Sequence, residues 1–225
     1  MDKVVCYTCV TGGYEVPPPP PAGSAADFLC FTDGPAPEGW TALPVPEELS
    51  GLDQVRRQRA VKICAHRYLP SDYLVSVWSD GNVAWLKDPA GLPPMCDFTV
   101  SPLYVRVHPA RRCVYEEAEA VRRMGKEDPA VLARVLARYR DGGFPENAGL
   151  AETNILVRRH FDPSCRRFCD RWASEVMLWS KRDQLSFPYA ARELGFVYGT
   201  MPWLYRGDGS SGWFGTLPHG RARRG

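Results

Sequence analysis

The sequence predicts an α/β fold: a mixed, mostly parallel sheet covered by helices on both faces. Three observations carry that reading. Short apolar, β-branched runs occur at Lys3 to Val10, Asp27 to Phe31 and Tyr73 to Trp78; helical segments lie between and after them; and Gly-, Pro- or Asp-rich punctuation closes each run. A chain of 225 residues suits one domain, and its 44% apolar and 24% charged composition excludes a disordered or fibrous protein.

Lys3 to Val10 reads as a buried strand ended by Thr11-Gly12-Gly13-Tyr14. Pro17 to Pro21 then form a stiff polyproline loop, and Asp27 to Phe31 is a second strand that ends at Thr32-Asp33-Gly34. Leu52 to Arg67 reads as a helix on which Arg56, Arg59, Lys62 and His66 share one face through spacings of three and four. A third strand, Tyr73 to Trp78, runs into Ser79-Asp80-Gly81-Asn82, and a Pro-rich loop at Pro89 to Pro94 precedes a strand near Phe98 to Val107. Helices are expected at Cys113 to Met124 and Pro129 to Arg140, the second with Asp128 as N-cap, Pro129 in its first turn and Gly142-Gly143 as its stop. Glu152 to Arg158 reads as a strand, and Ser164 to Trp179 and Gln184 to Leu194 as helices despite Pro188. Beyond Tyr205 the chain is rich in Gly, Ser and Arg, so the expected organisation is one domain over 1–205 and a loose tail over 206–225.

The formal charge is +2, and the one dense basic run is Arg221-Ala222-Arg223-Arg224, so a nucleic-acid partner is not expected. No apolar run approaches the ~20 residues of a membrane helix. Met1-Asp2-Lys3 followed at once by a strand pattern does not read as a signal sequence, and a cytoplasmic chain without a membrane span is the expectation. There the eight cysteines default to buried thiols. Cys6 and Cys9 lie three apart within a strand, which sends them to opposite faces and argues against a zinc site, and Cys165 with Cys169 does not repeat that spacing.

In parallel α/β sheets ligands gather at the carboxyl ends of the strands. That rule selects Thr11 to Tyr14, Thr32-Asp33 and Asp80-Gly81-Asn82. Asp80 and Asn82 supply a carboxylate and an amide oxygen, donors that suit Mg²⁺ or Mn²⁺, although the same tripeptide is also an ordinary turn. The basic helix face is either solvated or, beside phosphate-binding strand ends, neutralises a diphosphate.

Further segments keep this order along the chain: Tyr7-Thr8, Cys30-Phe31-Thr32-Asp33, Arg59-Ala60-Val61-Lys62-Ile63, Trp78-Ser79-Asp80-Gly81-Asn82, His108-Pro109-Ala110-Arg111, Tyr115-Glu116-Glu117-Ala118, Gly143-Phe144-Pro145, Gly149-Leu150 with Glu152 and Asn154, and Ser180-Lys181-Arg182-Asp183-Gln184. In that succession the chain resembles the bacterial and plant glycosyltransferase-like family formerly catalogued as a domain of unknown function. Its plant members include proteins linked to pectin-backbone galacturonosyl transfer, and some relatives have been described as ceramidases.

The resemblance implies a GT-A fold, a nucleotide-diphosphate-sugar donor and a hydroxyl acceptor on a polysaccharide or natural product, in a bacterial setting. Carried over by position, Thr11, Gly12, Gly13, Tyr14 and Asp33 approach the donor base and ribose, and Arg59 and Lys62 face the diphosphate or sugar. Arg182, Asp183 and Gln184 match the segment that reads the donor sugar. Asp80 and Asn82 occupy the Asp-x-Asp position, with His219 as the candidate third ligand to a divalent Mn²⁺ or Mg²⁺; Asn82 replaces a carboxylate there. Asp183 is favoured as the catalytic base, with Glu152 as the second choice, because a helix start favours a charged carboxylate; helix capping is its alternative role. His108, Arg111, Glu116 and Glu117 either grip a polar acceptor or form an ion-paired corner. A silent nucleotide-sugar-binding module, or an interaction module using Pro17 to Pro21, is the rival class. Four scattered histidines disfavour a ceramidase-like hydrolase.

Overall fold

The computed structural model describes residues 3–205 and 210–218. Its strands are β1 (Val4–Val10), β2 (Asp27–Thr32), β3 (Thr41–Pro44), β4 (Val75–Ser79), β5 (Val83–Trp85), β6 (Leu103–Val107), β7 (Ala151–Arg158), β8 (Gly199–Thr200) and β9 (Phe214–Thr216). Seven of them form one sheet in the order β3-β2-β1-β4-β7-β6-β8, and β5 pairs antiparallel with β9. β1 runs parallel to β2 and β4, β2 to β3, and β6 to β8, whereas β7 is antiparallel to β4 and β6. The parallel half therefore delivers the carboxyl ends of β1, β2 and β4 to a single edge.

Both faces of that half are buried, which is why its strands read as continuous apolar runs. Val5, Tyr7 and Cys9 of β1 join one core with Leu29 and Phe31, while Cys6, Phe28 and Cys30 turn to the other. The first face is covered by α1 (Gln54–Ile63), α2 (Ala65–Tyr68), α5 (Pro163–Leu178) and α6 (Asp183–Leu194), with Phe168, Trp172 and Phe187 packed ring to ring. The second face is covered by 3₁₀ turns at Pro89–Gly91, Pro93–Met95 and Pro202–Leu204 and by the β5–β9 pair, through Trp85, Leu92, Leu204 and Phe214. α3 (Val114–Arg123) and α4 (Pro129–Asp141) close a third, smaller core against Leu185 and Tyr189 of α6.

The expected helix over Leu52 to Arg67 starts at its N-cap Asp53, whose side chain accepts the Val55 and Arg56 N–H groups. It breaks at Cys64 (φ −93°, ψ 47°) and resumes as α2. The buried Arg158 guanidinium donates to the carbonyls of Lys62 and Ile63, supplying partners where the helical ladder stops. The strand placed near Phe98 begins only at Leu103, because Asp97 accepts from the Thr99 N–H and hydroxyl and bends the chain first. β3, β5, β8 and β9 carry no sequence signal, being two to four residues long. β9 lies inside the segment expected to be loose, and the Leu217 N–H donates to the Asn82 carbonyl. The polyproline loop is held in place: the Trp40 indole N–H donates to the Pro18 carbonyl, and Gly39 (φ +74°) sits against the Pro20 ring. Among the described residues no helix is long and apolar enough to cross a membrane.

Candidate functional site

A cleft of about 330 Å³ opens where β1 and β4 end, walled by the first turns of α1 and by the α5–α6 connection. Five residues singled out from the sequence line it: Thr11, Tyr14, Arg59, Asp80 and Arg182. Gln54, Gln58, Lys126 and Lys181 line it as well. Lys126 and Lys181 reach it because the α3–α4 turn and the α5–α6 connection meet the strand ends in the folded chain. The α5–α6 connection is itself pinned, since Glu127 accepts from the Ser180 hydroxyl (2.7 Å) and the Lys181 N–H (2.9 Å).

The turn after β1 depends on glycine. Gly12 and Gly13 have φ of +64° and +60°, and a Cβ on Gly12 would collide with the Gln54 side-chain amide. The Gly12 N–H donates to both carboxylate oxygens of Asp33, at 2.9 and 3.0 Å, so Asp33 ties the end of β2 to the rim. Asp33 therefore shapes the cleft from behind the turn.

Beneath the cleft lies a buried charge cluster. Lys62 Nζ, on a side chain 1% exposed, sits 2.8 Å from Asp183 Oδ2, 3.3 Å from Asp80 Oδ1 and 3.2 Å from Thr153 Oγ1. Arg59 Nε lies 2.8 Å from Asp183 Oδ1, and the Thr153 hydroxyl donates to Asp183 Oδ2. Burial by itself pushes the Asp183 carboxyl up, but Arg59 and Lys62 outweigh it and hold the group well below the usual carboxylate range. Other basic residues of the expected helix also meet the protein's own acceptors. Arg56 donates to the Val176 and Trp179 carbonyls, and His66 meets Asp170. Lys62 does not line the cleft, contrary to its expected place against the donor; Asp183, 3% exposed, lies beside it in the interior. Arg182 Nε and Gln184 Nε2 are buried and make no hydrogen bond among the described residues.

Other expected residues stand apart. Glu152 points to the opposite side of β7 from Thr153; it pairs with Arg106 at 2.7 Å, and the Arg106 guanidinium lies over the Tyr205 ring. His108 Nδ1 accepts the Ala110 and Arg111 N–H groups, and burial, with Arg111 and Arg106 nearby, pushes its imidazole down to about 4. Arg111 pairs with the buried Glu117, whose carboxyl is raised by burial against the pull of Arg111, and Glu116 accepts the Arg112 N–H. Of these four only Arg111 and Glu117 form an ion pair, while His108 and Glu116 accept from backbone N–H groups at the start of α3.

The described residues alone do not build a divalent-cation site. Asp80 Oδ1 already accepts from Trp78 Nε1 (2.9 Å) and faces the Lys62 ammonium, while the Asn82 amide donates to the Leu217 carbonyl (2.8 Å). Among the described residues no three His, Cys, Asp or Glu side chains converge on one point, and His219 lies outside them.

The family model for the TOD1/MUCI70 glycosyltransferase-like domain matches residues 39–201, a span that contains Arg59, Lys62, Asp80 and Asp183. A curated relative, the probable hexosyltransferase MUCI70 of Arabidopsis thaliana, is 27% identical over 164 residues, covering 69% of this chain and 28% of that protein. The chain thus spans less than a third of that relative's length. Among solved structures, the apo WbbM bifunctional glycosyltransferase superimposes with a TM-score of 0.55 at 9% identity, over 91% of this chain and 39% of that one. The apo mouse xyloside xylosyltransferase 1 gives 0.49 at 8% identity, over 91% and 86%. With well over half its length matched by the family model, and with a mixed, mostly parallel sheet of the GT-A class, the chain belongs to the TOD1/MUCI70 glycosyltransferase-like domain family.

Proposed function

We propose that this chain is a glycosyltransferase that moves a hexosyl group from a nucleotide-diphosphate sugar to a hydroxyl of a polysaccharide or natural product. The observation that carries the reading is the cleft at the ends of the parallel strands, where Arg59, Lys126, Lys181 and Arg182 converge beside Asp80. Glycosyl transfer breaks the bond between the anomeric carbon and the diphosphate oxygen, so negative charge grows on the leaving group, and preoriented cations stabilise that charge most strongly. Asp183 serves here as a positioning residue for Arg59 and Lys62. A carboxyl held so far below its usual range is a weak base, and it is enclosed by its own ion pairs.

The weak basicity of Asp183 also favours a second reading, a module that binds a nucleotide sugar without turning it over. A panel of nucleotide sugars, assayed for release of the free nucleoside diphosphate with hydroxyl acceptors present, separates the two. Transfer predicts release from at least one donor, reduced about tenfold or more by Arg182→Ala at unchanged circular dichroism. Saturable donor binding with no turnover on any acceptor supports the silent module.

A further inference from the structure

We infer that the donor diphosphate is held by the protein's own cations, and that Lys62 supplies at Asp80 the positive charge that the resemblance would assign to a divalent ion. The inference rests on the nucleotide-sugar reading of the cleft and deepens it. Its first support is the state of Asp80. A carboxylate that binds Mg²⁺ or Mn²⁺ offers its oxygens to the ion, joined by further oxygen or nitrogen donors. Asp80 Oδ1 instead takes one N–H from Trp78 and lies 3.3 Å from an ammonium that Asp183 and Thr153 also engage, at 2.8 and 3.2 Å. A divalent ion on Asp80 would share that carboxylate with a like charge only 3.3 Å from its Oδ1, borne by a side chain 1% exposed.

The second support is the neighbouring donor. The Asn82 amide brings no charge to offset that of a divalent ion. Third, the cleft's own charges suffice. Four cationic side chains, Arg59, Lys126, Lys181 and Arg182, face two carboxylates, Glu15 and Asp80, which leaves a formal surplus of two positive charges. That surplus complements a diphosphate without an added ion. Arg182 in addition carries a buried Nε with no hydrogen-bond partner among the described residues.

Two measurements on the full chain test this. In the first, Mn²⁺ alone is titrated into chelator-stripped protein and followed by electron paramagnetic resonance. No saturable binding at millimolar Mn²⁺ is expected. Stoichiometric binding that is lost in Asp80→Asn or His219→Ala overturns the inference. In the second, binding of UDP, GDP and ADP is measured by calorimetry in excess chelator and again in Mn²⁺. A nucleotide that binds within about twofold under both conditions, and about tenfold more weakly in Lys181→Ala, supports the inference. A tenfold or greater tightening by Mn²⁺ that disappears in Asp80→Asn overturns it. If none of the three nucleotides binds under either condition, the nucleotide-sugar reading fails, while the Mn²⁺ titration still decides whether Asp80 holds a metal.

Discussion

At Asp183 burial and neighbouring cations pull in opposite directions, and the cations win. The direction fixes the pH dependence. Because its folded pKa is depressed, Asp183 contributes its full stability above the ordinary carboxylate value of about 3.9 and loses it as pH falls from there toward the folded value. Asp183→Asn removes the carboxylate that faces Arg59 and leaves Lys62 with Asp80 as its one anionic partner among the described residues, so a loss of about 3–5 kcal/mol in urea unfolding at neutral pH is expected. The gap between the two proteins should then close below about pH 4; a gap that stays constant into acid would contradict the assignment. The strand-end rule located Thr11, Tyr14 and Asp80 from sequence, but helical spacing said only that Arg59 and Lys62 share a face. Whether that face meets solvent or a carboxylate depends on α6, more than a hundred residues further along the chain.

At the scale of elements, the β5–β9 pair shows how a weak local signal becomes structure. Neither strand has length or alternation enough to form alone, and an isolated pair of this size is marginal in water. Packing of Trp85 and Phe214 edge to face, and the two hydrogen bonds exchanged between Asn82 and Leu217, fasten it over the sheet. Asn82→Ala removes one of those bonds and is expected to cost about 1 kcal/mol. Hydrogen exchange over 210–218 should rise in that variant while the rates in β1 and β4 stay constant. Equal acceleration throughout would show that Asn82 acts on the whole fold and not on this pair. The break between α1 and α2 follows the same logic, since the buried Arg158 on β7 replaces helical partners with its guanidinium.

Across the whole molecule, two apolar cores hold seven of the eight cysteines, Cys113 is buried at the start of α3, and burial pushes thiols such as Cys6 and Cys64 up to about 12. Ellman's reagent should therefore react slowly with the native protein and titrate eight thiols after denaturation. A chelator should leave the melting temperature unchanged, because among the described residues no three His, Cys, Asp or Glu side chains converge on one point; rapid labelling of several thiols, or melting on chelation, would refute this arrangement. The parallel half of the sheet carries the cleft at its carboxyl edge. The antiparallel β7 closes that half and places Thr153 under the cleft and Glu152 on the other side.

By itself the sequence determined the α/β class, the buried parallel strands and the turns that end them, because apolar runs and glycine or aspartate stops are local features. The Gly12 turn and the Asp80 turn were legible for that reason. Only the tertiary structure decided that Lys62 is interior, that Asp183 is its partner and not an exposed base, that Glu152 faces away, and that Lys126 and Lys181 reach the cleft. Each of these is a relation between segments far apart in the chain, set by how helices dock on the sheet, and no spacing along the chain encodes it.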